Sequence, residues 1–291
     1  MQNTRFIDGR QIAFLKRQNL KQKIIQLKDL YHTVPCLHVI LVGDHPPSQV
    51  YVRNKQAACQ VVGIESYIHK LPAHITQEEI LDLITSLNTD PQVNGILLQL
   101  PLPAHLSAQT LLTHLNPDKD VDGLHPINLG QLLMGRPILT PCTPQGCMEI
   151  IRSVYPHIQG KHAVVVGRSV LVGKPMAMLL VNANVTVTLA HSYTQNLKDL
   201  CRQADILITA VGSPHFFNGD YIKSGALIID VGINRKVVDG EESLVGDVNT
   251  SLAQNIAGHI TPVPGGVGPM TVSCLLSNTV QAMEHQLKSR S

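Results

Sequence analysis

Apolar residues recur at helical spacing from Gly9 to Leu30 and then fuse into an unbroken run, Cys36 to Val42, that stops at Gly43. Such a run predicts a strand buried on both faces of a parallel sheet. The alternation repeats with a helix over Ser48 to Val62, a strand over Ile64 to His69 and a helix over Thr76 to Asn88, with Glu78 and Glu79 near its start. A strand over Val93 to Leu100 follows and is stopped by Pro101 and Pro103. From Pro117 to Gly146 the chain is rich in Pro, Gly and Asp, which predicts loops and a crossover between domains. A second series opens with strand His162 to Val166 and continues through helix Lys174 to Val181, strand Val185 to Leu189, helix Gln195 to Arg202 and strands Ile206 to Val211 and Ala226 to Val231. Met270 to Leu287 has helical length.

Strands and helices in alternation predict an α/β fold of two domains, each a mostly parallel sheet with helices on both faces. The length of 291 residues agrees with two domains. Charged residues are only 15% and hydrophobic ones 44%, so a large core is available. A formal charge of +2 without runs of like charge gives no support to a nucleic-acid or membrane-surface partner and favours a small molecule. The uncharged stretch Pro175 to Leu197 is interrupted by Asn182, Asn184, Thr186 and Thr188 at strand spacing, and a second one is broken by Pro262 to Pro269. Neither supplies the roughly 20 apolar residues of a spanning helix. Arg5, Asp8, Arg10 and Lys16 leave no apolar core for a signal peptide, so a soluble, cytoplasmic protein is expected. The six cysteines form no CxxC pair or zinc spacing and read as reduced thiols. The fourteen histidines include no HExxH, and no metal is assigned.

Candidate chemistry begins at VVVGRSVLVGKP, Val164 to Pro175, where a strand meets Gly167, a turn, and Gly173 at a helix start. Backbone amides and the helix dipole attract phosphate at such a place, making the second domain a candidate Rossmann-like dinucleotide-binding domain. Ser169 replaces the second glycine of GxGxxG, so a tight turn without ligand stands as the alternative. At the end of the next strand an acid would favour NAD, but the chain offers Ala190, His191, Ser192 and Tyr193. With Arg168 in the turn, a 2′-phosphate meets a cation and hydroxyls, which favours NADP. A nucleotide-triphosphate loop is excluded, because five residues separate Gly167 from Gly173 and Pro175 replaces the magnesium-binding hydroxyl. In the first domain Tyr51 and Lys55 lie four apart on one helix face, Gln99 ends a strand, and Asp122 sits in an irregular Asp-Gly loop. By residue type alone these are a surface lysine, a packing tyrosine and a turn.

What changes that reading is a set of long motifs: VGDHPPSQVYVRNKQAACQVVGI from Val42, GILLQLPLP from Gly95, PDKDVDGLHPINLG from Pro117, PCTPQG from Pro141, GRSVLVGKP from Gly167 and HSYT from His191. DVGINR from Asp230, GDVN from Gly246 and TPVPGGVGPMT from Thr261 follow in order. With these the chain resembles the bifunctional methylenetetrahydrofolate dehydrogenase/cyclohydrolase family nearly end to end. Leu124 stands where Phe is common after DVDG, and Leu98 where Val is common before the glutamine. The resemblance implies a folate-binding catalytic domain over residues 1–139, joined by the returning helix 270–291, and an NADP-binding domain over 140–269.

It also implies two reactions in one-carbon metabolism, feeding purine biosynthesis. Hydride leaves 5,10-methylenetetrahydrofolate for NADP, and water then opens the methenyl product to 10-formyltetrahydrofolate. Lys55, from YxxxK, is the implied proton shuttle, oriented by Gln99 of QLPLP, with Asp122 of DVDG accepting from the pterin edge and Tyr51 stacking on the aminobenzoyl ring. Leu98, Leu100 and the run Pro264, Gly265, Gly266, Val267, Gly268 complete the implied folate contacts, the last as a close-approach loop. Gly167, Arg168 and Ser169 are implied at the cofactor phosphates, Ser192 at the 2′-phosphate and Ile233 near the nicotinamide. A homodimer is implied as well. A dehydrogenase without hydrolase activity and a non-catalytic dinucleotide sensor remain as alternatives.

Overall fold

The computed structural model describes residues 3–238 and 241–290. Its elements run as β1 (Arg5–Phe6), α1 (Gly9–Tyr31), β2 (Cys36–Val42), α2 (Pro46–Val62), β3 (Glu65–Leu71), α3 (Gln77–Thr89), β4 (Gly95–Leu98), α4 (Ala108–His114), α5 (Pro126–Leu133) and α6 (Cys142–Val154). There follow β5 (His162–Val166), α7 (Gly173–Asn182), β6 (Thr186–Ala190), α8 (Leu197–Cys201), β7 (Ile206–Thr209), a 3-10 turn Gly219–Tyr221 and β8 (Leu227–Asp230). The last elements are β9 (Asn234–Val238), β10 (Glu241–Val245), α9 (Thr250–Ala253), β11 (His259–Ile260) and α10 (Val267–Arg290). Two compact units result: Leu15–Cys142 with Val272–Ser291, and Met1–Phe14 with Thr143–Thr271.

The first unit is built on a parallel sheet of order β3-β2-β4. Because side chains alternate across a strand, Leu37, Val39 and Leu41 of β2 meet apolar residues of α1, α2 and α10, while Ile40 and Val42 meet those of α3 and α4. Both faces are covered, and so β2 reads as an unbroken apolar run. The ends of the helices are chemically marked. Thr76 and Glu79 close a capping box on α3, and Gly63, in the left-handed region at φ 90°, ends α2.

The second unit carries a six-stranded sheet of order β1-β11-β8-β7-β5-β6, parallel at every pairing. Ala163 and Val165 pack with α6 and α7 on one face, and Val164 and Val166 with Cys201 and Ala253 on the other. The registers Val166↔Ala190, Val166↔Thr209 and Thr209↔Asp230 bring the carboxyl ends of four strands level. A separate antiparallel hairpin, β9 with β10, follows.

Several expectations change. The first residues do not join the first domain: β1 pairs with β11, and Arg5 N–H donates to Gly258 O at 2.9 Å. A two-residue strand carries too little pattern to betray this. The stretch expected to be loops holds α5 and the start of α6, because Pro126 occupies the first turn, where its missing N–H costs nothing, and His125 caps it. The C-terminal helix begins at Val267 rather than Met270, and its part from Val272 onward belongs to the first unit.

Candidate functional site

Helix α2 turns Ser48, Val52, Lys55, Cys59 and Val62 inward, a stripe at spacings of four and three that packs on the sheet. Lys55 therefore enters an apolar row and is only 9% exposed. On β4, Leu97 packs with this same layer, so Gln99, two residues on, points to it as well. The two side chains meet, with Lys55 Nζ donating to Gln99 Oε1 at 2.9 Å. Gln99 Nε2 in turn donates to Leu100 O at 2.7 Å, which fixes the amide with its oxygen toward the amine. Burial lowers the Lys55 pKa from its ordinary value, and the negative charge of Asp122 opposes the shift. Tyr51, one turn earlier on α2, keeps its ring 37% exposed beside this position.

Asp122 owes its place to neighbours that local sequence patterns do not reveal. Lys119 Nζ donates to Leu87 O and Asp90 O, tying the loop to the end of α3. Asp120 Oδ2 accepts from His125 N–H and Asn128 Nδ2, and burial pushes its carboxyl up to about 6. Asn278, buried within α10, donates from Nδ2 to Val121 O at 2.9 Å and to Thr140 O at 2.8 Å. Gly123 lies at φ +73°, and a Cβ there would meet Thr140 C at 2.4 Å. Mid-helix Asn278 gives no warning of this role in sequence.

In the second unit, Gly167 (φ +128°) and Gly173 allow the turn after β5 to fold onto itself. A Cβ on Gly173 would lie 1.9 Å from Gly167 O, and one on Gly167 would lie 2.2 Å from Ala210 O. Ser169 Oγ accepts from Val172 N–H at 3.1 Å, and Arg168 sits over the Tyr193 ring, 5.4 Å from its centroid. Arg168 and Ser192 each lie two residues past the paired Val166 and Ala190, so a cation and a hydroxyl share the rim of adjacent strands. Both are exposed. A phosphate-bearing dinucleotide fits this donor set, and no carboxylate stands among Ala190, His191, Ser192 and Tyr193 to repel a 2′-phosphate. Ile233, just past β8, is 48% exposed.

Within the expected folate set Leu98 faces away from the amine, and the run Pro264 to Gly268 lies, as its place within 140–269 implied, in the unit of the six-stranded sheet. Leu98 is 2% exposed and packs with Ile40, Ile96 and Leu111 on the sheet face opposite Lys55, because alternation along β4 turns it away. Only its backbone is left to offer; Leu100 is half-buried. Pro264 to Gly268 belong to the unit of the six-stranded sheet, whereas Tyr51, Lys55, Gln99 and Asp122 belong to the other. Within that run the close approach is to the protein's own chain: a Cβ on Gly266 would meet Pro262 O at 2.6 Å. Val267 is a core residue of the six-stranded-sheet unit, and Gly268 faces open space.

Comparison with known proteins divides the chain in sequence order, whereas the compact units exchange residues 7–14 and 272–287. Residues 7–122 match the family model described as tetrahydrofolate dehydrogenase/cyclohydrolase, catalytic domain, and residues 141–287 match that family's NAD(P)-binding domain. A bifunctional protein FolD from Dichelobacter nodosus is 52% identical over 275 residues, covering 94% of each chain. One from Zymomonas mobilis is 49% identical over 283 residues and 95% of each. Among solved structures, the methylenetetrahydrofolate dehydrogenase-cyclohydrolase of Trypanosoma brucei, complexed with NADP cofactor and inhibitor, is 38% identical with TM-score 0.95, covering 99% of this chain and 100% of that one. The bifunctional FolD enzyme of Campylobacter jejuni is 43% identical with TM-score 0.91, covering 96% and 98%. Matched over both of its parts and along nearly its full length, the chain belongs to the tetrahydrofolate dehydrogenase/cyclohydrolase family.

Proposed function

We infer that this protein oxidises 5,10-methylenetetrahydrofolate to the methenyl compound with NADP and hydrolyses that to 10-formyltetrahydrofolate. The observation that carries the reading is the buried Lys55 amine, held by Gln99 and of lowered pKa. Burying a lysine amine in an apolar stripe costs stability, and a titratable group held at that cost with a specific partner marks a functional site.

NADP, when bound, accepts a hydride from the methylene carbon. Gly167, Arg168 and Ser169 would hold its phosphates, Ser192 its 2′-phosphate, and Ile233 would flank the nicotinamide. Folate nitrogen lone pairs stabilise the carbocation left behind, so the protein's share in that step is positioning. Tyr51 stacks on the aminobenzoyl ring, and Asp122 accepts from the donor edge of the pterin, fixing which way it lies. Hydrolysis needs proton movement. Neutral Lys55 takes a proton from the attacking water, and the resulting ammonium delivers one to the departing nitrogen as the ring opens. Gln99 keeps the amine aimed and stabilises its charged form. Near the cationic methenyl substrate the amine is further biased toward its neutral, basic state.

A cytoplasmic setting is proposed with this chemistry, supported by six free, buried cysteines. Assembly as a homodimer is proposed from the family resemblance. The strands β3 and β6, which end their sheets with Tyr67 and Leu189 exposed, are consistent with pairing. Nucleic acid and membrane are not proposed as partners, given a net charge of +2 spread along the chain. Supply of formyl groups to purine biosynthesis belongs to the same proposal. The test is a spectrophotometric run with methylenetetrahydrofolate and each nicotinamide cofactor, following NADPH and methenyl absorption together. NADPH formation with a transient or absent methenyl signal supports both steps. Persistent methenyl accumulation at the uncatalysed decay rate refutes the hydrolase, and no NADPH refutes the dehydrogenase.

A further inference from the structure

Asp247 lies just past β10, is wholly buried, and has no part in the chemistry above. Its carboxylate accepts four hydrogen bonds. Val211 N–H donates to Oδ2 at 2.7 Å and Gly212 N–H at 3.2 Å, while Ser213 N–H and Asn234 Nδ2 donate to Oδ1, each at 2.9 Å. Three successive backbone amides thus converge on one anion, with Gly212 at φ +67° turning the chain so that they can. These donors come from the loop after β7 and from the first residue of β9, which follows β8 after a short link. Since Thr209 of β7 is paired with both Val166 of β5 and Asp230 of β8, both loops leave the same rim of the sheet as the Gly167 turn.

The packing around the carboxylate is equally committed. A Cβ on Gly232 would lie 2.3 Å from Asp247 Cγ. Asp230 Oδ1 accepts from Gly232 N–H and Asp247 N–H at 3.0 Å, and Oδ2 accepts from Val248 N–H at 2.9 Å, locking the Asp247 segment under the β8 loop. Above this knot, Val211 and Ile233 stay 39% and 48% exposed. These are aliphatic side chains left open on the two loops that Asp247 ties together.

We propose that Asp247 is a positioning residue for the nicotinamide half of the cofactor site, fixing the spacing between Val211 and Ile233 so that they flank the flat ring. The inference rests on the NADP reading above and adds Val211 to it. Without the carboxylate, three backbone donors lose their common acceptor and the loop after β7 is released from the start of β9.

Titration of NADPH fluorescence against wild type, Asp247→Asn and Asn234→Ala tests it, with KM for NADP and for the folate substrate measured alongside. The Asn amide points N–H against backbone N–H, so NADPH affinity and KM for NADP are expected to worsen by about tenfold or more, with KM for folate within about twofold. Asn234→Ala removes one bond of the four and is expected to weaken NADPH by roughly threefold to fivefold. If Asp247→Asn does not fold, Asn234→Ala decides. Unchanged NADPH affinity, or equal worsening of both KM values, overturns the positioning role. A wild-type protein that binds no NADPH overturns the dinucleotide reading itself.

Discussion

Replacing Lys55 by Met separates the two reactions. Met matches the length of the lysine stem and keeps the apolar stripe of α2 filled, so the change is confined to the amine. Loss of a positioned acid/base group lowers a rate by about 10²- to 10⁴-fold, which is about 3 to 5 kcal/mol in the barrier to methenyl hydrolysis. Hydride transfer moves no proton through Lys55 and is expected to fall by less than about tenfold, through altered placement alone. Stability should shift little at neutral pH. Gln99 Oε1 loses its 2.9 Å donor, a cost of about 1–3 kcal/mol, while removal of a desolvated amine offsets it.

The sign of the pH dependence follows from the lowered pKa of Lys55. The unfolded chain binds the proton more tightly, so wild type carries a penalty below the folded pKa that is relieved as pH rises toward the ordinary lysine value. Lys55→Met has no such titration. Its stability relative to wild type is therefore most favourable below the folded pKa of Lys55 and declines as pH rises through that value toward the ordinary lysine pKa. The assay is paired absorbance for methenyl loss and NADPH gain, with urea melts at several pH values. Equal loss of both activities in a folded variant would refute the proton-shuttle role, and a relative stability that rises with pH would refute the burial argument.

Three further expectations follow from the geometry. Arg168→Ala removes the cation on the rim shared with Ser192 and should weaken NADP by about 10- to 100-fold, much more than NAD, as measured by competitive titration. Equal weakening of both would defeat the 2′-phosphate assignment. Gly173→Ala places a Cβ 1.9 Å from Gly167 O, so the turn must open, and NADPH affinity should drop by at least about tenfold. Asn278→Ala removes the amide donor of Thr140 O and leaves Val121 O with only the weak Cys142 thiol, and is expected to cost about 2–4 kcal/mol in a urea melt while raising KM for folate. An unchanged folate KM would show that Asn278 does not hold Asp122.

Local chemistry carried much of the organisation. The apolar run of β2, the capping box at Thr76 and the glycine turn at Gly167 act over a few residues, so the chain spells them directly. The stripe that buries Lys55 is readable in the same way, from spacing along one helix. Helix α5 was hidden because Pro126, which usually breaks a helix, occupies the first turn where it does no harm, and because Gly130 lies inside so short a helix.

Tertiary structure alone decided what joins segments far apart. Strand β1 finds its partner in β11, and Asn278 reaches Val121 O across 157 positions, pairings that leave no periodic trace. The same holds for Asp247, whose four donors are gathered from the loop after β7 and the start of β9, and for Leu98, which strand alternation turned into the core beside a glutamine turned toward the amine. Periodicity records which face of an element is apolar. The partner that satisfies a buried polar group is chosen by the whole fold, because any donor that folding brings within hydrogen-bond distance can serve.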